Sequence, residues 1–530
     1  MKLGIDFGTT RTVVAAQERG NYPICSFSWK GELKDYFPSL VALWQGRLYF
    51  GWDAAALIKN PDARLVRSIK RLVGHMRAED PVYFGSDFSI PMLELVSQFL
   101  THVRRTIERY GNIHYRHPQS FEVMVATPAN SNSNQRFMTL EAFRRAGFAV
   151  LGALNEPSAA AVEFLNHYLQ DMGPKSPKRY MIVYDLGGGT FDASVVRIAG
   201  RGHDVLAYEG IAKLGGDDFD DKILELVLEK AGIDREDISE SDTVRLLEEC
   251  RERKESVRVN TRKMVVDVGT VLAGADPVVL ETAQIYDHCR PLIQKTLESV
   301  ETLLSKLEID EGKNWTPRRL AAIYLVGGSV SFPPVARVLR EIYTNKVRIS
   351  PLPHASPAIG LAIALDKKAR IRVRESVSRW FGIWRERDQD KVFDPIIQKD
   401  EKVDSRTGRL VVIRDYRPRH NIGLLRFLEC SELGKSGEPE GDITVWKDIH
   451  FPYDPELEDL ADLSDTPIVS RTDLSNQQIR ETYHYSVQGI VHVEIENLAT
   501  GHRRRYRLEP GKKPLLFKYR RKQPMAVYSH

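Results

Sequence analysis

Two short stretches carry residues that could handle phosphate. In the first, the apolar run Leu3–Ile5 leads into Asp6, Phe7, Gly8, Thr9 and Thr10. In the second, Tyr180–Val183 leads into Tyr184, Asp185, Leu186, Gly187, Gly188, Gly189, Thr190, Phe191 and Asp192. Each puts a carboxylate at a strand end, followed by a turn thin enough for phosphate oxygens to approach backbone N–H groups. One such turn mostly just reverses the chain. Two copies, one opening each half of a region, suggest a duplicated fold closing on a nucleotide. Paired aspartates also suit Mg2+, which keeps several of its waters and takes few protein ligands.

Other residues could complete such a site. Lys70 sits in Ser68–Gly74, and a lone lysine is usually a solvated charge. Glu156 follows Asn155 and precedes Pro157, Ser158 and Ala159–Ala161, where a carboxylate near a helix N-terminus is favourable on electrostatic grounds alone. Gly215 and Gly216 stand before Asp217–Asp221, which heads a helix, and Lys254 lies in the charged helical segment Ser239–Arg258. The buried strand Ile323–Val326 runs into Gly327, Gly328 and Ser329, with a helix from Pro334. Strand, Gly-Gly-Ser turn and helix N-terminus make a third anion- or base-facing site. For any of these alone, a plain turn between strand and helix is the competing reading.

The surrounding sequence supplies elements to hold these groups. Met92–Tyr110 has apolar residues at helical spacing, as does Gln294–Leu307. Phe121–Ala126 reads as a strand ending at Thr127 and Pro128, and Asn130–Asn134 offers caps for a helix through Phe143. Ser39–Trp44 and Arg47–Phe50 read as strands joined at Gln45 and Gly46, and Asp171–Lys178 as the connection between the halves. The length of 530 residues allows roughly three domain-sized units. A net charge of +4 is too small to indicate a nucleic-acid binder. The cysteines (Cys25, Cys250, Cys289, Cys430) lack metal-ligand spacing, which favours free thiols in a reducing compartment. A strand starting so close to Met1 leaves no room for a signal peptide, and no apolar run is long enough for a bilayer. The expected location is cytoplasmic.

The motifs GIDFGTT, SIKRLVG, NEPSAAA, YDLGGGTFD, LGGDDFD and LVGGS occur in the order and rough spacing of the seventy-kilodalton heat-shock chaperones. The chain resembles that DnaK-like family, within the actin and sugar-kinase ATPase superfamily, over about residues 1–368. The resemblance implies an α/β two-lobed actin-like ATPase domain, a duplicated ribonuclease-H-like fold with lobe I about 1–178 and lobe II about 179–368. A linker at 369–376 and an all-β sandwich at 377–510 would follow. The implied cofactors are ATP or ADP with Mg2+. Asp6 and Asp185 would sit near the magnesium, acting through its waters. Gly8, Thr9, Thr10, Gly187, Gly188, Gly189 and Thr190 would cradle the phosphates. Lys70 and Glu156 would orient the attacking water and the γ-phosphate, with Asp192 nearby. Gly215, Gly216, Gly327, Gly328, Ser329 and Lys254 would line the nucleoside side. Phosphoryl transfer asks mainly for charge neutralisation and in-line placement, and Lys70 can offset charge on phosphate oxygens.

Several positions depart from the family pattern. Arg11 replaces an uncharged residue after the first loop, Arg258 stands in for a serine, and His354 for an acid. The aromatics that follow the switch proline, here Pro128, are missing from Ala129–Ser131. Gly152 falls where the family has a basic residue used by J-domain partners. The linker Ala369–Ser376 alternates arginine with isoleucine and valine instead of running leucine-rich, which argues against its docking on the ATPase domain.

Beyond it, Leu410–Ile413, Ile422–Leu428 and the alternating Val491, Val493 and Ile495 read as strands, with Arg503–Leu508 as an antiparallel partner. Trp380–Ile383, the run to Cys430 and Gln488–His502 resemble the peptide-binding sandwich. Glu432–Leu474 reads as containing an inserted loop. The basic tail 511–530 is too short for the family's helical lid of roughly a hundred residues, so a lidless sandwich is expected. The arginines at 503–505 and 507, with the tail lysines, could serve an RNA patch, but a charge-protected strand edge is the simpler reading.

The expected function is therefore a slow ATPase with chaperone character that holds unfolded or extended polypeptide on a lidless sandwich. The main alternative is a nucleotide-gated module for one dedicated protein partner; a small-molecule kinase ranks lower. J-domain and nucleotide-exchange partners are implied by the resemblance alone, and no nucleic-acid or membrane partner is expected.

Overall fold

The apolar run that ends in Asp6 forms the strand Lys2–Phe7, the middle of a five-stranded sheet. It pairs antiparallel with Arg11–Ala16 and parallel with Glu122–Thr127, which pairs parallel with Ala149–Asn155. Phe37–Pro38 closes the other edge. In this computed structural model residues 1–508 are described, except 114–120, 130, 169–175, 201, 212, 270, 272–273, 375–376, 388–389, 400, 404–408, 447 and 487–488. Most of the Asp171–Lys178 connection, the end of the linker and the basic tail thus lie outside the described residues. The chain divides into two units, one built from Met1–Ser378, Asp400–Arg409 and Ser486–Gly489 and the other from Arg379–Lys399, Leu410–Tyr485 and the residues from Ile490.

Within the first unit the same order of elements occurs twice. The second sheet runs Val347–Ile349, Leu320–Val326, Tyr180–Leu186, Phe191–Ala199, Gly202–Ile211, Arg372–Arg374. Its central strand again pairs antiparallel with the next strand and parallel with one that arrives after a long helix. The helices Met92–Tyr110, Ser133–Arg145 and Glu156–Tyr168 are matched in order by Thr282–Glu311, Pro333–Tyr343 and Ser356–Ala364. Small residues let the last helix of each set approach the other closely. A Cβ built on Gly360 would fall 1.8 Å from the Ala159 carbonyl oxygen.

One sequence expectation needed extension. The helix read over Gln294–Leu307 spans Thr282–Glu311, with Pro291 inside and Ile285, Cys289, Ile293 and Leu297 continuing its buried stripe. The buried Tyr184 hydroxyl of the central strand meets the Thr296 hydroxyl on this helix at 2.7 Å.

The linker contradicts the reading against docking. Arg372–Arg374 adds a parallel edge strand to Gly202–Ile211, with His203 opposite Val373. The backbone ladder needs no leucines, and the arginine/aliphatic alternation is itself a period-two strand pattern. Ile371 and Val373 pack against buried clusters that include Ala160, Phe164, Ala358 and Ala362.

The second unit has two four-stranded sheets. One runs Asp390–Ile397, Trp380–Arg387, Phe427–Leu433, Pro439–Val445, and the other Arg409–Tyr416, Ile479–Ser486, Val491–Asn497, Arg503–Arg507. Pro439–Val445 and Ile449–Pro452 are strands within the segment read as an inserted loop. After Pro452 and before Ile479 the chain forms no named strand, only the 3-10 turns Pro455–Leu457 and Thr472–Asn476. The strand Ile479–Ser486 turns Ile479, Glu481, Tyr483 and Tyr485 inward. Glu481 is tolerated there because Arg385 contacts it at 2.6 Å and the Tyr416 and Tyr483 hydroxyls donate to it at 2.8 and 2.6 Å. All four cysteines are free and buried. No helix among the described residues is long and apolar enough to cross a membrane.

Candidate functional site

Both glycine hairpins close with the same hydrogen bond. Gly8 N–H donates to the Arg11 carbonyl at 3.0 Å, and Gly187 N–H donates to the Thr190 carbonyl at 3.0 Å. The hairpins touch across the two halves: a Cβ on Gly188 would lie 2.0 Å from Thr10 Cγ2. Thr9 lies beside Gly189 in the same contact. Gly187 and Gly188 are also strapped to the other predicted turns. Their carbonyls accept from Gly216 N–H at 3.0 Å and Asp217 N–H at 2.6 Å, and the Ser329 hydroxyl donates to the Gly187 carbonyl at 2.8 Å. A Cβ on Gly216 would sit 2.5 Å from Ser329 Oγ, and one on Gly215 against the Gly188–Gly189 backbone. Gly327 needs glycine twice over: its φ is +89°, and a Cβ there would lie 2.5 Å from Asp185 Oδ1. Gly328 follows in a short 3-10 turn. Four sequence-distant glycine turns thus line one place.

Beside them lies a buried charge cluster. Ser68 takes a left-handed conformation (φ 55°) between the strand Arg64–Arg67 and the helix Ile69–His75, and Lys70 on that helix is buried. Its ammonium is hydrogen-bonded to the Glu156 carboxylate and lies 3.9 Å from Asp6 Oδ1. Glu156 is the first residue of its helix. Burial pushes Asp6 up to about 7, with Lys70 opposing and Glu156 adding. Asp192, paired with Asp185 across the second hairpin, is likewise pushed up to about 7 by burial, Glu156 again adding. Burial raises Asp185 well above the usual range, reinforced by Glu156, Asp192 and Asp6. For Lys70 burial works against the charge, but Glu156 and Asp6 outweigh it and hold its pKa above the ordinary lysine value.

Four carboxylates share one ammonium here, and Asp6 Oδ1 has no hydrogen-bond partner. Such a set suits a cation. Hydrated Mg2+, which keeps several of its waters and takes few protein ligands, is a cation of that kind.

Lys254 is buried and donates to the Gly216 carbonyl at 2.6 Å while pairing with Asp220 at 2.6 Å. It therefore fixes the Gly215–Gly216 turn from behind. Arg258 stays out of the site, its guanidinium donating to the Glu255 carbonyl at 2.8 Å at the end of its own helix. His354 pairs with Asp35 at 3.3 Å. Gly152 lies in a sheet strand, where a Cβ would meet Met124 Sδ at 3.1 Å.

Sequence reasoning missed two arginines. Arg71 donates to the Gly189 carbonyl and lies 3.8 Å from Asp218; its place next to Lys70 was the available signal. Arg136 is buried, reaching Ser131 Oγ at 2.9 Å, Asn155 Oδ1 at 3.4 Å and Ser378 Oγ at 2.9 Å. It thereby ties the residue before Glu156 to the chain just after the linker, where the Tyr208 hydroxyl also donates to the Ser378 carbonyl at 2.6 Å. Nothing in the local sequence marks Arg136, because its partners are distant along the chain.

Residues 83–366 match the family described as Hsp70 protein. The chain is 30% identical over 382 residues to "Chaperone protein HscA" of Proteus mirabilis, covering 69% of this chain and 58% of that relative. It is 30% identical over 381 residues to a "Chaperone protein HscA homolog" of Colwellia psychrerythraea, with the same coverage of each. A homolog of the same description from Burkholderia cenocepacia is 29% identical over 380 residues, again covering 69% and 58%. The matched region thus spans less than two thirds of these relatives' length.

Proposed function

The chain belongs to the Hsp70 family, and from that premise we propose that it binds and slowly hydrolyses Mg-ATP and couples the nucleotide state to polypeptide held on the β-sandwich. The observation that carries this reading is the buried Lys70–Glu156 pair set against the two touching hairpins and ringed by Asp6, Asp185 and Asp192. The hairpin N–H groups and Thr9, Thr10 and Thr190 hold phosphate oxygens. Lys70 offsets the charge that develops on the transferred phosphoryl oxygens, in a water-poor site where that interaction is strong. Glu156 holds the attacking water by accepting its hydrogen bond. Asp192, with a pKa near neutrality, takes the proton that water releases. Asp6 and Asp185 would hold a hydrated Mg2+ through its waters, and that ion would supply charge neutralisation for the phosphates. Gly215, Gly216, Gly327, Gly328 and Ser329 line the nucleoside side, with Lys254 behind. The Arg136 bridge from Asn155 to Ser378 is the route by which the site reaches the linker. Measuring ATP hydrolysis with and without unfolded polypeptide tests the reading. Stimulated turnover is expected, and an absence of nucleotide binding overturns it.

One observation favours a dedicated partner over general clients. The sandwich interior holds the network of Arg385, Glu481, Tyr416, Tyr453 and Tyr483, with the Tyr416 and Tyr453 hydroxyls 2.6 Å apart. A satisfied buried polar network fixes one arrangement, whereas promiscuous binders use surfaces that repack. Affinity capture dominated by one protein supports the dedicated module; a broad spread of unfolded chains supports the general chaperone. J-domain partners, if used, dock without a basic side chain at Gly152.

A further inference from the structure

A chain of ion pairs crosses between the two halves of the first unit beside the glycine turns, and it ends at Arg11. Arg11 Nη2 lies 2.5 Å from Glu255 Oε2, and its guanidinium stacks 4.5 Å from the Tyr36 ring centre. Glu255 stands next to Lys254 on the second-half helix Glu240–Ser256. Along that helix Arg251 Nε approaches Glu255 at 3.3 Å and its Nη1 approaches Glu248 at 3.8 Å. Glu248 then returns to the first half, pairing with Arg67 Nη2 at 2.7 Å. The Ser68 hydroxyl donates to Asp217 at 3.2 Å, and Arg67 lies 3.9 Å from the same carboxylate. Charges therefore alternate from Arg11 through Glu255, Arg251, Glu248 and Arg67 to Asp217. Burial pushes the Glu255 carboxyl up, but Arg11 and Arg251 outweigh it and hold it below the usual range.

Four of the six members are adjacent in sequence to a residue already placed at the site. Arg11 follows Thr10, Glu255 follows Lys254, Asp217 follows Gly216, and Arg67 precedes Ser68 on the way to Lys70. The Arg11 guanidinium also reaches the Gly328 turn, where a Cβ would lie 3.9 Å from its Nη1. A ligand gripped by both hairpins cannot leave unless the halves separate, and separation breaks these pairs first.

We propose that Arg11 and Glu255 form a clasp that keeps the cleft closed and sets how long a nucleotide stays bound. The proposal rests on the reading that this cleft binds nucleotide. Side-chain exposure of 20% for Arg11 and 40% for Glu255 leaves the pair open to salt without making it a free surface pair.

The test is stopped-flow displacement of a fluorescent ADP with Mg2+ from the full chain at low and high NaCl. Release from the unaltered protein should quicken with salt. R11A should quicken release about tenfold at low salt and lose most of the salt dependence. E255Q should act alike, R11A/E255Q should add little beyond either, and the exchange R11E/E255R should recover part of the slow release. The exchange variant and the salt series on unaltered protein keep the test decisive if R11A folds poorly. Release from R11A within twofold of normal, or additive single effects, overturns the clasp while leaving nucleotide binding intact. Failure of the unaltered protein to bind the fluorescent ADP overturns the nucleotide reading itself.

Discussion

The two glycine hairpins share a closing bond and a strand register, and of the equivalent positions at which they differ two matter most here. The carbonyl that closes the turn belongs to Arg11 in the first and to Thr190 in the second. The residue paired with the strand-end aspartate is Val13 in the first and Asp192 in the second. Val13 packs with Ala15, Ala358 and Ala362 in an apolar cluster, whereas Asp192 feels the charges of Glu156 and Lys70. The repeated architecture supplies two like frames. The chemistry comes from where the copies cease to match.

Lys70 is the cation that both frames share, so removing it should have the largest effect. K70A is expected to slow single-turnover ATP hydrolysis about a thousandfold, while nucleotide affinity falls much less. An equal loss in affinity and rate would recast Lys70 as a binding residue. Next in size is an exchange of the unlike pair. V13D puts a second carboxylate into the first hairpin among the alkyl groups of Ala15, Ala358 and Ala362, and should cost about 3–5 kcal/mol of stability in urea unfolding.

Asp192 invites the opposite experiment. Its folded pKa of about 7 lies above the unfolded 3.8, so the folded state holds the extra proton between those values and stability falls as pH rises through that window. Without nucleotide, D192N should therefore lose less stability than the unaltered protein between pH 5 and pH 8, by up to about 2.6 kcal/mol. Matching pH profiles would mean that Asp192 ionises freely.

The contact between the hairpins can be broken more gently. G188A drives a methyl into Thr10, and nucleotide affinity should fall about tenfold as the hairpins part. Pairing it with T10G removes the obstructing side chain and should recover part of the loss. Titration calorimetry reads both, and no recovery would place the damage elsewhere.

Much of this was legible because it is local. A strand ending in an acid and followed by glycines needs only period-two patterning and turn chemistry, and Met92–Tyr110 announces its helix by spacing alone. The glycine turns were legible as turns, but their mutual stacking was not, since it depends on strands far apart in sequence. The linker strand was misread because its composition was weighed against a leucine-rich pattern instead of its own alternation. Glu481 and Arg136 escaped for the same physical reason: a buried charge is explained by partners, and the partners that decide these two, Arg385 and Tyr416 for Glu481 and Ser378 for Arg136, lie far along the chain.

The smallest difference between the copies is how their second helices begin. Ser133–Arg145 starts on Asn132, whose side chain accepts from Gln135 N–H at 2.8 Å. Its counterpart Pro333–Tyr343 has no side-chain cap; Pro333 presets the first helical φ, and Phe332 packs between Phe219 and Tyr286. One start depends on a hydrogen bond, the other on a fixed torsion and an apolar anchor. N132A should therefore cost about 1 kcal/mol in urea unfolding, while N132D keeps the cap and stays near the unaltered value. P333A gives back only chain freedom in the unfolded state and should cost about half as much. Equal losses in N132A and N132D would show that the Asn132 amide acts through another contact, and the two helices would then begin more alike than their sequences say.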